Sequence, residues 1–344
     1  MELSFREYQL RLKHPFRVSG AEARETWDVV YLQLESGNVV GYGEAAPSRF
    51  WQETVEMVKE AAARADLSRH ETPLVYELIL REVDEKLGPP RAFLAALDMA
   101  LFDAVGKKMH IPLRRFLGLP ENDTVYTSHT IGIADLDTVT QKIAEARPYP
   151  ILKVKLGSDY DIELIEHIRK LTDKPIRVDA NEGWSKEEAV EKITWLQTQN
   201  VEFVEQPLPA DRLEETAWVK ERVQMPIFAD ESVGNSRDIP KVAGIFDGIN
   251  IKLMKCGGIL EAIRMIRQAR EFGLRIMLGC MIESSLAISA AAQLLPLVDY
   301  ADLDGPMLIA NDPFEGLKMD SGLIRLSGKP GLGVWPKTDL FAHD

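Results

Sequence analysis

Three observations predict a parallel (β/α) barrel behind an N-terminal α+β unit. First, from about residue 125 short β-branched runs alternate with helical stretches. The runs begin near Val125, Ile151, Ile176, Val201, Ile227, Gly248, Arg275 and Tyr300, eight in all at intervals of 21–27 residues. Eight strands with intervening helices make a barrel. Second, most of these runs end in charged or amide side chains, and barrel enzymes gather their chemistry where strand C-terminal ends share one mouth. Third, the first 120 residues read as strands followed by helices rather than as an alternation. The interval alone would also fit a doubly wound sheet; the polar strand endings favour the barrel.

In chain order, residues 1–120 form the α+β unit, 121–311 the barrel, and 312–344 a terminal segment that leaves the barrel and returns towards the first unit. Strand-like text covers Met1–Phe16 and Trp27–Glu35, and Ser36-Gly37-Asn38 turns the chain into Val39–Glu44. His14–Ala21 interrupts this pattern and reads as an exposed loop. Helical text follows at Thr54–Leu67, Pro73–Leu87 and Pro90–Lys107; in the last, Phe93, Leu94, Leu97, Ala100, Leu101, Ala104 and Val105 recur at helical spacing. The tail carries Gly328-Lys329-Pro330-Gly331-Leu332-Gly333 and no further βα unit.

Composition narrows the function. Of the 344 residues, 45% are hydrophobic and 28% charged, the balance of a globular protein, and net charge is −13. Such an acidic surface argues against nucleic acid or an anionic membrane as partner. The N-terminus lacks the apolar core of a signal peptide, and no stretch is long and apolar enough to span a bilayer. The two cysteines, Cys256 and Cys280, belong to no metal or disulfide motif. A cytoplasmic enzyme is the expectation.

The strand endings supply the chemistry. Asp179, Glu205 and Asp230 end three consecutive strands. Neighbouring strands lie about 4.8 Å apart, so the three carboxylates can converge on one ion. Oxygen ligands without His or Cys select a hard cation, Mg²⁺ first and Mn²⁺ second. Lys153 and Lys155 share one face of the second strand because side chains alternate. A shared interior, with a metal nearby, is expected to lower a lysine pKa towards that of a general base. Lys252 ends the sixth strand across the barrel. Lys255 competes for the same role, but parity places it in the following loop and favours Lys252. Asp302 and Asp304 share parity after the eighth strand and suit a substrate ammonium. Together these parts describe abstraction of a proton next to a carboxylate, giving an enediolate; two lysines on opposite faces would invert the stereocentre.

Lys153-Val154-Lys155, Asp179-Ala180-Asn181, Glu205-Gln206-Pro207, Ala229-Asp230-Glu231-Ser232 and Ile251-Lys252-Leu253-Met254-Lys255-Cys256-Gly257-Gly258 together resemble the muconate-lactonizing subgroup of the enolase superfamily. The resemblance runs over nearly the whole chain. It implies a modified TIM barrel, (β/α)7β, with an N-terminal α+β capping domain. It further implies Lys155 and Lys252 as the acid/base pair, and Asp179, Glu205 and Asp230 as Mg²⁺ ligands. Asp302-Leu303-Asp304 is similar to the motif with which dipeptide epimerases hold the free α-ammonium. By the same resemblance Thr130 and Lys153 would contact substrate, and Cys280-Met281-Ile282 would line the pocket. The implied activity is epimerisation of the C-terminal residue of a dipeptide. Arg17 and Arg24, in a loop with Glu22 and Glu25, are candidates to bind a glutamyl side chain, as in L-Ala-D/L-Glu epimerases. The partner is then a small dipeptide, and assembly as a homo-oligomer is expected. Two rivals stand beside this reading: an o-succinylbenzoate synthase or related lyase, and a catalytically silent metal-binding barrel.

Overall fold

The alternating text at the N-terminus folds as an antiparallel sheet, β1 (Glu2–Phe16), β2 (Arg24–Ser36) and β3 (Val39–Ala45), in that order. Gly37, at φ 64°, makes the tight turn between β2 and β3. The computed structural model describes residues 1–121 and 125–342. His14–Phe16 belong to β1, in keeping with the strand-like text over Met1–Phe16 and not with a loop beginning at His14. The strand bulges after Arg11 and resumes pairing at Phe16 opposite Arg24, while His14 reaches Glu145 at 2.9 Å. Only the residues between β1 and β2 form the loop.

Helices α1 (Val55–Arg64), α2 (Tyr76–Leu87) and α3 (Arg91–Met109) follow. Every residue of α3 from Ala92 to Gly106 is buried, as befits a helix apolar on most of its circumference. It lies directly on β3, where Gly41 and Gly43 permit the approach. A Cβ on either would sit 2.1 Å from the carbonyl oxygen of Ala100 and 1.8 Å from that of Ala96 respectively.

After the short α4 (Leu113–Phe116) the chain alternates through β4 (His129–Ile131), α5 (Leu136–Glu145), β5 (Leu152–Lys155), α6 (Asp161–Leu171), β6 (Ile176–Asp179), α7 (Lys186–Leu196), β7 (Val201–Glu205), α8 (Leu213–Lys220), β8 (Ile227–Ala229), α9 (Ile239–Val242), β9 (Gly248–Lys252), α10 (Leu253–Cys256), α11 (Ile259–Glu271), β10 (Arg275–Gly279), α12 (Ser285–Ala292) and β11 (Tyr300–Asp302). The eight strands pair in parallel and in chain order. A parallel bridge between Thr127 and Ala301, with Ser128 N–H donating to the Ala301 carbonyl at 3.2 Å, joins the two ends of the sheet. The fold is a (β/α)7β barrel with an N-terminal capping domain. From β6 onward the strands begin where the pattern places them. β4 starts at His129 rather than Val125 because Thr127 already donates to Gly322 in the tail.

Inside the barrel, Phe203, Phe228 and Met277 pack together with Tyr300. The Arg177 guanidinium lies over Phe203 and Tyr300, at 5.7 and 5.0 Å from the ring centres. This layer fills the barrel below the strand ends, with Arg177 as its charged member, and the carboxylates and lysines gather above it.

Buried carboxylates of the capping domain hold the two units together. Asp98 accepts from Ile259 and Leu260 N–H, at 2.6 and 3.2 Å, and so caps α11. Glu44 does the same for α12 through Ser284 N–H, Ser284 Oγ and Ala287 N–H. Asp103 takes Tyr42 N–H, the Lys107 ammonium and Leu332 N–H from the tail. The tail also packs Phe314 against Tyr31, at 5.1 Å between ring centres. No helix among the described residues is long and apolar enough to cross a membrane.

Asp98→Ala leaves two buried N–H groups of α11 without an acceptor. At about 1–3 kcal/mol for each unsatisfied group, denaturant unfolding is expected to register a loss of about 2–6 kcal/mol. A second test concerns pH. His129 stacks on Tyr149 at 4.7 Å, and burial holds its pKa down to about 4. The unfolded chain therefore binds a proton first, so this contribution to stability is complete above the ordinary histidine pKa and is lost as pH falls towards 4. His129→Phe is expected to flatten the stability profile over that interval relative to the parent.

Candidate active site

Strand alternation turns Lys153, Lys155, Asp179, Glu205, Asn250 and Lys252 into the barrel, and Asp230 follows β8 directly. All seven are buried. Asp179, Glu205 and Asp230 each present an oxygen within 4.8 Å of the others. β5 and β9 lie four places apart in the eight-membered ring, on opposite sides of the barrel. From those two strands Lys155 donates to Asp179 Oδ2 at 2.6 Å and Lys252 to Asp230 Oδ2 at 2.7 Å. The two amines therefore reach one carboxylate cluster from opposite walls.

The third lysine is enclosed. Lys153 Nζ lies 2.7 Å from Asp302 Oδ2, 2.7 Å from Glu205 Oε2 and 3.2 Å from Asp179 Oδ2. Lys255 departs from the sequence reading. It is not in a loop but in α10, and its ammonium donates to Asp230 Oδ1 and O and to the Asn250 carbonyl. One turn of helix after Lys252 swings the opposite-parity side chain back to the carboxylate.

These pairings set the electrostatics. Burial alone lowers the pKa of Lys153 and of Lys252, but the carboxylates outweigh it and raise both. With no cation beside the carboxylates, an amine surrounded by anions keeps its proton; the lowering expected from sequence is the effect of a bound metal. Burial works against ionised Asp179 and Asp230 as well, yet the adjacent lysines hold both below the ordinary carboxylate value. Lys153 likewise overrides burial to hold Asp302 down to about 2. Four other carboxyl groups lack enough positive charge. Burial and Asp179 push Glu205 up to about 7, burial and Asp302 push Asp304 up to about 7, burial and Asp230 push Glu231 up to about 8, and burial pushes Glu283 up to about 7.

Four ammonium groups thus face six buried carboxyl groups and the half-buried Glu231. Glu205 Oε2 accepts no well-aligned hydrogen bond, although Lys153 lies close to it. An all-oxygen cluster short of positive charge suits a hard divalent cation, which Asp179, Glu205 and Asp230 would hold.

Backbone geometry supports these positions. Asn181, Glu182 and Gln206 follow two of the carboxylates at φ 41°, 64° and 36°, a left-handed region that is costly outside glycine and recurs at functional sites. The Gln206 amide oxygen accepts from Asp230 N–H at 2.9 Å, tying the end of β7 to that of β8. Asp304 Oδ2 accepts from Thr130 N–H at 2.6 Å, and Asp302 Oδ1 from Ser128 Oγ at 2.6 Å. Cys280 and Met281 are half-buried, and Ile282 is buried. Arg17 is exposed in the loop, whereas Arg24 and Glu25, read from sequence as part of that loop, begin β2, where pairing with β1 takes them up, and Arg24 stacks on Trp27 at 4.6 Å. The loop is anchored at the barrel by Ser19 Oγ, which donates to the Gly157 carbonyl at 3.1 Å. Sequence reasoning missed Asn250, Glu231 and Glu283. Asn250 has the parity of Lys252 two residues on and was findable; the other two show no periodic signal.

Residues 1–118 match the family model described as mandelate racemase / muconate lactonizing enzyme, N-terminal domain, and residues 135–340 match enolase C-terminal domain-like. A protein of Bacteroides thetaiotaomicron named L-Ala-D/L-Glu epimerase is 44% identical over 336 residues, spanning 97% of this chain and 88% of its own. A substrate-liganded L-Ala-D/L-Glu epimerase from Bacillus subtilis superposes with a TM-score of 0.89 at 30% identity, covering 97% of this chain and 98% of its own. A dipeptide epimerase from Enterococcus faecalis, solved with Mg and L-Leu-L-Tyr, gives a TM-score of 0.88 at 32% identity, with 96% and 98% covered.

Lys153→Met would strip the shared counter-charge from Asp179, Glu205 and Asp302. In chelator-treated protein this is expected to cost about 3–5 kcal/mol, the usual penalty for breaking a buried ion pair. Thermal melting with and without Mg²⁺ checks it: the variant should gain more from the cation than the parent does.

Proposed function

Since the chain belongs to the mandelate racemase/muconate lactonizing enzyme family of the enolase superfamily, we propose that it is a dipeptide epimerase. In this reading it inverts the α-carbon of the C-terminal residue through a two-lysine proton transfer. The observation that carries the proposal is the approach of Lys155 and Lys252 to one carboxylate cluster from opposite walls of the barrel. The relatives named as dipeptide epimerases support it.

Asp179, Glu205 and Asp230 would hold Mg²⁺. Bound there, the ion supplies Lewis-acid stabilisation for the negative charge that develops on the substrate carboxylate. The chain's own groups do the rest. Lys155 and Lys252 must differ by one proton: the neutral amine takes the α-proton, and the ammonium opposite returns one to the other face. Exchanging their protonation states runs the inversion in reverse. Lys153, charged and fixed by three carboxylates, adds permanent positive potential beside the enediolate. Asp302 and Asp304 bind the α-ammonium of the first residue and thereby orient the second. That cation also supplies positive charge which Asp304 lacks.

L-Ala-L-Glu is the first substrate to test, by analogy with the 44%-identical relative. Arg17 in the loop and Arg24 at the start of β2 are the cations proposed for a glutamyl carboxylate. o-Succinylbenzoate synthase is not favoured, because its product has no ammonium group for Asp302 and Asp304.

The test is incubation in D₂O with Mg²⁺ and a panel of acidic, hydrophobic and cationic L-Ala dipeptides, read by mass gain and chiral separation. Stereochemical inversion with uptake of one deuterium is expected. Lys155→Ala and Lys252→Ala should each lose epimerisation by at least about 10²–10⁴-fold, the worth of a positioned acid/base group. Near-normal turnover in both variants would remove the lysine assignment; no exchange from any dipeptide would remove the substrate class.

A further inference from the structure

We infer that Lys255, Asn250 and the backbone amide of Asn181 fix each metal-binding carboxylate to one available oxygen, and thereby make the site prefer Mg²⁺ to Ca²⁺. The inference rests on the metal-site reading above.

Each carboxylate has one oxygen held by a donor outside the set Lys153, Lys155 and Lys252. Asp179 Oδ1 accepts from Asn181 N–H at 2.9 Å, Glu205 Oε1 from Asn250 Nδ2 at 2.6 Å, and Asp230 Oδ1 from Lys255 Nζ at 2.5 Å. The opposite oxygens, Asp179 Oδ2, Glu205 Oε2 and Asp230 Oδ2, lie against the ammonium groups of Lys153, Lys155 and Lys252.

The two sets of donors differ in how readily they yield. A backbone amide cannot swing away. The Asn250 amide packs against Gly279, where a Cβ would stand 2.5 Å from its oxygen and 2.8 Å from its nitrogen. Lys255 also donates to the Asp230 carbonyl at 2.7 Å and the Asn250 carbonyl at 2.9 Å, so all three of its N–H groups are engaged inside the protein. Lys155 and Lys252 instead approach on flexible four-carbon stems, and Lys153 keeps its contact with Asp302 Oδ2 when a cation takes its place beside Asp179 and Glu205. An entering cation therefore competes with the second set and leaves the first in place.

Each carboxylate then contributes a single oxygen. Three protein ligands leave half of an octahedron for water and substrate, which suits Mg²⁺. Ca²⁺ takes six to eight oxygens at longer distance and commonly uses carboxylates bidentately, an option the held oxygens deny it. The plainer role for Lys255 is charge compensation. The two roles separate cleanly, since removing one positive charge strengthens the attraction for both divalent ions alike, whereas freeing an oxygen favours Ca²⁺.

The test is calorimetric titration of chelator-treated parent, Lys255→Met and Asn250→Ala with MgCl₂ and with CaCl₂, each protein's fold checked by metal-free melting. The ratio of the Ca²⁺ to the Mg²⁺ dissociation constant is expected to fall by about tenfold or more in either variant, in line with the effect of groups that orient metal ligands. Should Lys255→Met fail to fold, Asn250→Ala decides the question through Glu205. An unchanged ratio in the folded variants, even with both affinities shifted together, overturns the inference. A parent that binds neither cation overturns instead the metal-site reading on which it rests.

Discussion

The constraint on which the rest of the structure depends is the compensation of buried charge at the barrel mouth. Six buried carboxyl groups, the half-buried Glu231 and four ammonium groups meet there, where an unpaired buried ion costs several kcal/mol. Lys153 alone serves three carboxylates at 3.2 Å or less. Every other feature of the site follows from this imbalance. Without a cation, Lys153 and Lys252 are held charged, the best-paired carboxylates stay ionised, and those without enough positive charge retain protons to unusually high pH. Such a site has a demand for positive charge that a divalent cation and a substrate ammonium both meet.

The molecule handles buried carboxylates in two ways, and the difference separates scaffold from site. Asp98 and Glu44 are satisfied largely by N–H groups at helix N-termini. Those donors cannot leave, so the contacts act as permanent joints between capping domain and barrel. At the mouth, Asp179 Oδ2 and Asp230 Oδ2 are satisfied by lysine ammoniums. An ammonium on a flexible stem can be displaced by another cation, so these contacts suit exchange.

Positioning is the work of the chain just beyond the strands. Asn181, Glu182 and Gln206 accept left-handed backbone so that β6 and β7 end abruptly and the next residues fold back across the mouth. Gln206 then holds the backbone of Asp230, and Lys255 holds both its carbonyl and its carboxylate. The loop after β1 anchors on the same rim through Ser19 and Gly157. The capping domain thus reaches the edge of the site, where residues distant from the reacting centre can affect what enters.

By itself the sequence determined the fold class and most of the strands, because the barrel rests on a period-two and period-3.6 alternation that local text carries directly. It also brought out Asp179, Glu205, Asp230, Lys155 and Lys252, since a charged residue inside an apolar run is conspicuous and its parity gives its face. What depends on contacts between distant segments was not legible. The choice between strand and loop at His14–Phe16, where both readings overlapped, follows from pairing with β2 beyond a bulge. The return of Lys255 to Asp230 follows from one helical turn that no periodicity announces. The raised pKa of Lys153 and Lys252 without a bound metal was not legible either, because a lysine's proton affinity is set by whichever charges surround it in space, and only the closed barrel brings those carboxylates within reach.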